Sequence, residues 1–232
     1  MLRHPDVPGL FLLQAADAGG NPDGWPAEAS AALPAARIIF DWARDYLSRP
    51  HPDLGRPGPV CPYVPRSLRS ADFWVTAHHG PRPVLAELLR TVLLYRDWFV
   101  RLEPRHGRGT QLKTILVLFP DVATADAPLL VDRAQELLKT EFVRAGLMVG
   151  EFHPGPPPAP GLWNKDFRPL RSPVPLLAIR HMVASDLPFL TGNPEHLAAY
   201  LERFGDAVPP ACRPMLDAAM ATVRAAKGKD ST

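Results

Sequence analysis

The chain has 232 residues, 46% of them hydrophobic, with 26 Lys and Arg set against 24 Asp and Glu. That is enough apolar material to bury a core without a disulfide or metal staple, and the near balance of charge removes the long-range positive field that nucleic-acid binding exploits. Cys61 and Cys212 are too few and too far apart for a zinc ribbon or a disulfide framework.

This cysteine usage fits a reducing cytoplasm. The N-terminal patch GLFLLQAA follows Pro5, Asp6 and Pro8 and is interrupted by Gln14, which makes a poor signal peptide. No apolar run reaches the roughly 18 residues needed to cross a bilayer. A cytoplasmic protein that meets neither membrane nor nucleic acid is therefore expected. The 29 prolines are the compositional anomaly. They cluster at 50–65, 154–160 and 169–175, where they favour ordered, extended loops over helix.

Residues 1–32 lack a sustained period and contain the turn signal GGNPDG, so they read as an N-terminal arm. A single domain is expected over 33–227, followed by a frayed tail at 228–232. Within the domain, residues 34–47 space Ile38, Ile39, Trp42 and Tyr46 for one helical face, and Pro50 ends the pattern. A proline-rich stretch leads to ADFWVTAHH, a strand. Residues 82–102 are strongly helical, with Pro81 and Pro83 at the permitted first turn. LKTILVLFPD then reads as a buried strand, 125–146 as a second amphipathic helix closed by Gly146, and LMVGEFH as a third strand.

VPLLAIRHMV is a short apolar run that periodicity cannot assign; a strand turning at Ala184 to Asp186 is the preferred reading. Asn193 and Pro194 form an N-cap and first turn for PEHLAAYLERFG, and 210–227 supply a last helix. The resulting order is α+β. It implies a single sheet of about four strands, covered on one face by the two long helices, with further N- and C-terminal helices packed around its edges. GxGxxG after a strand, GxxxxGK[ST], HExxH and GxSxG are all missing, which sets aside the commonest nucleotide, metalloprotease and hydrolase readings.

The chemistry concentrates in 150–190. His153 ends one strand-like run, and Pro154 restricts its backbone to extended geometry. His181 ends the next. The loop between them carries Lys165, Arg168 and Arg171 beside Trp163 and Phe167, a set able to clamp an anion against an aromatic wall. The two imidazoles can bind a metal, or one can be an axial iron ligand and the other a distal acid or hydrogen-bond donor. Each also reads as a satisfied histidine at a strand edge. No third ligand shares a recognisable spacing with them. His78 and His79, before Pro81, read as an exposed turn, and His196 as an exposed first-turn residue.

GEFHPGPPPAPGLWNKDFRPLRSPVPLLAIRHMV resembles the C-terminal signature of the YqcI/YcgG-type haem proteins. There a Gly-x-His-Pro step, an arginine-bearing loop and a Pro-led apolar strand lead to a histidine. The cysteine of PGPVCPYVPRSL resembles that group's earlier Phe-Pro-Cys step, with Val60 directly before Cys61 here. The chain also resembles uncharacterised actinobacterial proteins that carry HPDLGRPGPVCP and DFRPLRSPVPLLAIRHMV. Members of the haem group include N-oxygenases acting on amino or guanidino groups in natural-product biosynthesis.

The resemblance implies a b-type haem with His181 as its iron (metal) ligand and Arg168 and Arg171 as loop cations at the cofactor. Trp163 and Phe167 would supply aromatic walls, and His153 with Pro154 would form the pocket turn. In that reading His153 is the catalytic distal group, Asp186 a hydrogen-bond partner of His181, and O2 or peroxide the co-substrate. A small-molecule substrate and an electron donor would be its partners, and a homodimer is compatible with it. Two other readings stand beside this monooxygenase-like oxidoreductase. One is a non-catalytic binding domain for an acidic metabolite or protein partner; the other is a metal-assisted hydrolase using His153, His181 and a carboxylate such as Glu151 or Asp186.

Overall fold

The structure, a computed structural model, describes residues 1–80, 82–105, 107, 109–155 and 159–229, with side chains as far as Thr222. The last residues of the predicted tail, 230–232, lie outside the described residues. Two compact units emerge, Met1–Leu138 with Val149–Arg180, and Lys139–Met148 with His181–Thr232.

The N-terminal segment is anchored by backbone pairing. β1 (Leu2–Arg3) and β2 (Phe11–Leu12) run antiparallel, and the next residue, Leu13, exchanges both of its backbone hydrogen bonds with Val75. Phe11, Leu12 and Leu13 are all buried, so this arm contributes to the core. After the short α1 (Ala15–Ala18) comes α2 (Ala27–Trp42), which starts well before the predicted position 34 and carries Pro34 inside it. A proline there removes one helical hydrogen bond, but Ala29, Ala32, Leu33, Ala35, Ala36 and Ile39 are buried along this helix and hold it in place. Ile38 is 48% exposed. The predicted apolar stripe was therefore off by one residue at that point. One π turn, Ala43–Leu47, extends the helix and carries Tyr46.

The chain continues through α3 (Val64–Arg69), β3 (Phe73–Ala77), α4 (Leu85–Arg101), β4 (Thr114–Leu118), α5 (Arg133–Arg144), β5 (Leu147–Phe152) and β6 (Leu176–His181). Two further helices, α6 (Pro194–Phe204) and α7 (Arg213–Lys229), complete it. This is the expected α+β fold, with a four-stranded sheet in the order β3-β4-β6-β5 beside the two-stranded β1-β2 sheet. β3 and β4 are parallel, which requires a crossover, and α4 provides it. β6 returns antiparallel to β4, with Leu118 opposite Leu176 and Thr114 opposite Arg180.

Side chains alternate across a strand, and the two faces meet different helices. Phe73, Val75, Ala77, Leu116, Leu118 and Leu176 share one core with Ala36, Ile39 and Phe40 of α2. On the opposite face Thr76 hydrogen-bonds the Tyr95 hydroxyl of α4 at 2.8 Å. Helices thus cover both faces of the sheet, where the order of elements had suggested one. Among the described residues no helix is long and apolar enough to cross a membrane.

The second unit has its own core of Val143, Met148, Met182, Leu187, Leu190, Leu197 and Tyr200. Gly146 closes α5 at φ +72°, the left-handed C-terminal stop predicted for it, and its carbonyl accepts from the Met182 N–H. Asn193 caps α6 by accepting from the Glu195 and His196 N–H groups. His196, expected to be exposed, is 6% exposed and bonded through Nε2 to the Thr140 hydroxyl at 2.9 Å. The reason is that the first turn of α6 faces α5 within this unit.

Lys113 is a fully buried cation just before β4. Its ammonium donates to the carbonyls of Phe99 and Leu102 at the C-terminal end of α4 and lies 4.5 Å from the Phe99 ring centroid. It thereby satisfies carbonyls that a helix end leaves without intrahelical partners. Burial pushes its pKa down from 10.5 to about 8, so across that window the unfolded chain holds more protons and stability rises with pH. We expect the unfolding free energy of the wild type, minus that of Lys113→Met, to be flat below about pH 8 and to climb towards pH 10.5. Urea melts at stepped pH measure this, and a difference that falls over the window would contradict it.

Candidate ligand-binding cleft

An open cleft of about 810 Å³ lies in the first unit, within the size range of small-molecule sites. One wall is aromatic. Trp42 and Tyr46, one turn apart across the end of α2 and the π turn, stack at 6.0 Å with 20° between their planes. Tyr46 meets the His51 ring edge-on at 5.9 Å, and His51 stacks on Phe167 at 4.7 Å. Pro154, Arg168, Arg171, Ser172 and Pro173 also line the cleft, as do Asp53, Asn164 and Asp166.

The wall depends on a tight turn at 51–55. The His51 Nδ1 accepts the Asp53 N–H at 3.2 Å, opening a single 3-10 turn, Pro52–Leu54, with proline at its first position. That bond makes Nδ1 the acceptor, so in the neutral ring Nε2 carries the proton and can donate. Gly55 then turns left-handed at φ +78°, and a Cβ on it would sit 3.0 Å from both the Cβ and the carbonyl oxygen of Trp163. Only glycine meets both conditions without strain.

The loop 161–175 is clasped onto this turn. The Asn164 amide donates to the Asp53 carbonyl at 3.0 Å, and its oxygen accepts the Asp166 N–H at 3.0 Å. Gly161 and Phe167 close the loop backbone at 2.8 Å, and an Arg168 Nη1 folds back onto the Lys165 carbonyl at 2.6 Å. Ser172 continues from it, its N–H on the His153 carbonyl and its hydroxyl on the Val174 carbonyl. The Phe119 N–H to Pro175 carbonyl bond, 2.8 Å, then delivers the chain into β6.

Of the residues singled out from sequence, Phe167, Arg168 and Arg171 meet in the cleft, next to Pro154. Arg171 is exposed, and among the described residues its guanidinium has no hydrogen bond or ion pair. It acts on Tyr46: burial raises the phenol's pKa, and the Arg171 charge partly offsets the rise. Trp163 supports Gly55 through its backbone and Cβ, while its side chain is 63% exposed. Lys165 is exposed as well.

His153 is 1% exposed, with Nε2 3.1 Å from an Asp132 carboxylate oxygen. Its Nδ1 has no partner among the described residues and faces Gly155, where a Cβ would lie 3.1 Å away. It supports the cleft from beneath through its backbone. His181 stands at the opposite end of β6 from the loop and belongs to the second unit. Five strand residues intervene, at about 3.3 Å each. Asp186 accepts the Val183 N–H at 2.8 Å in the turn after β6. Glu151 is buried in β5. Cys61 is a free, half-buried thiol packed on the α2 core. His79 is paired to Asp121 at 3.1 Å, and burial lowers the pKa of His78.

These positions test the implied haem. The imidazole that does line the cleft, His51, commits Nδ1 to a backbone N–H and so offers a proton rather than a lone pair. Tyr46 donates to the Pro169 carbonyl at 3.4 Å and, with its pKa raised, is a phenol rather than a phenolate ligand. Among the described residues that line the cleft, none therefore stands ready as an iron ligand. Nor do the described residues gather three or more His, Cys, Asp or Glu into a group able to hold a metal ion.

His51, Asp53 and Asn164 are the cleft residues that sequence reasoning passed over. The signals were present: a histidine directly before Pro-Asp-Leu-Gly is a turn-capping pattern, and Asn-Lys-Asp permits an Asx turn. Fold and site together define an α+β protein with a polar, aromatic-walled cleft built on loops. Over residues 36–215 the chain matches the model of a domain of unknown function, DUF6875, and it belongs to that family. No curated protein and no solved structure matches it.

Gly55→Ala forces a side chain into the left-handed region and against Trp163. We expect it to lower the unfolding free energy by about 2 kcal/mol, the scale of a non-glycine residue held there plus a steric shift. Equilibrium urea unfolding reads this, and an unchanged midpoint would show that the turn yields freely.

Proposed function

We propose that the cleft binds a small organic molecule carrying an acidic group and a flat ring, with Arg171 taking the acid and the Trp42–Tyr46–His51–Phe167 wall taking the ring. The observation that carries this reading is the Arg171 guanidinium, unpaired among the described residues, in one cleft with a continuous aromatic wall. An arginine fork matches a carboxylate or phosphate in bidentate geometry, and aromatic faces add attraction for stacked rings. The His51 Nε2–H and the remaining Arg168 nitrogens supply further donors. This corresponds to a binding module for an acidic metabolite.

A haem-dependent oxygenase with His181 as its iron ligand is the activity that the family resemblance implies. Two measurements separate these readings. Arg171→Ala should weaken binding of an aromatic carboxylate about tenfold, the worth of one charge-assisted hydrogen bond, in calorimetric titration. If the variant and the wild type bind equally well, Arg171 is not the acid's partner. On reconstitution with haemin, His181→Ala should give the same Soret absorbance as the wild type. A band that depends on His181 would restore the haem enzyme.

A further inference from the structure

The charge around the cleft is balanced rather than purely positive. Arg168 and Arg171 face Asp53 and Asp166, and the acids are not spent on the bases: among the described residues no salt bridge joins either carboxylate to either guanidinium. Asp166 makes no side-chain hydrogen bond among them, and Asp53 Oδ2 lies 3.9 Å from the His51 Nδ1, which accepts the Asp53 N–H. Both acids are tied to Asn164, Asp53 through its carbonyl and Asp166 through its N–H. Arg171 lies by Tyr46, whose phenol feels its charge. The Tyr46 and His51 rings, 5.9 Å apart, line the same cleft.

We infer that the ligand is a zwitterion: a flat ring bearing both an anionic group for Arg171 and a cationic amine for the Asp53 and Asp166 carboxylates. This rests on the acid-binding reading and adds the second charge and its position. A purely anionic ligand would bring no opposite charge to the two carboxylates that share the cleft with it, and like charges brought together oppose binding. A ligand carrying an ammonium turns the same carboxylates into partners. Its ring lies against the aromatic wall of the same cleft.

A matched set of probes tests this by calorimetric titration at low salt: L-tryptophan with both charges, indole-3-propionate with the acid alone, and tryptamine with the amine alone. L-Tryptophan should bind at least about tenfold more tightly than either singly charged probe. Asp166→Asn should reduce its affinity towards that of indole-3-propionate while leaving indole-3-propionate unweakened, and Arg171→Ala should reduce it towards that of tryptamine. Both side chains are exposed and, among the described residues, make no hydrogen bond or ion pair. If indole-3-propionate binds as tightly as L-tryptophan, and Asp166→Asn changes neither, the zwitterion is overturned while the acid site stands. If none of the three binds, both readings fall together.

Discussion

One junction between distant segments holds the site together. Asn164 joins the 51–55 turn to the 161–175 loop, segments 111 residues apart in sequence, and the His51–Phe167 stack and the Gly55–Trp163 contact close the same seam. The bond works because Gly55 lets the two backbones come into contact at Trp163. Neither segment has a regular hydrogen-bond ladder to fix its shape. Their conformations are set by local side-chain-to-backbone bonds, each modest by net free energy, and by one close packing contact.

The sheet supplies the platform on which this happens. Because β6 runs antiparallel to β4, its N-terminal end lies where β4 ends, and the Phe119–Pro175 bond anchors the loop at that edge. β5 brings His153 and Pro154 there, and α2 ends with Trp42 pointing into the cleft. His181 ends β6 and belongs to the second unit. Two histidines at the ends of successive strands look equivalent in the sequence, but only His153 shares a unit with the cleft.

The regular elements were readable because their signals are periodic and local: alternation in Phe73–Ala77 and an apolar helical face in Leu85–Arg101. Gly146 and Asn193 marked helix ends by backbone rules that need no tertiary context. The start of α2 was misread because Pro34 usually marks a first turn, and burial of its neighbours overrode that rule. At the site, Phe167, Arg168 and Arg171 stood out by composition alone. His51, Asp53 and Asn164 did not, since their roles arise from a long-range contact that no spacing records. His196 shows the same limit from the other direction, an apparently solvent-facing position buried by a helix encountered fifty-six residues earlier.

The proline clusters first noted as an oddity of composition coincide with the segments that shape the cleft: Pro52 in the capped turn, Pro154 at its floor, Pro169 and Pro173 along the loop. Each fixes one backbone torsion by covalent geometry rather than by packing, so the unfolded chain has fewer conformations to surrender at these segments. Walls made of irregular segments thereby gain a stiffness that their few hydrogen bonds alone would not provide.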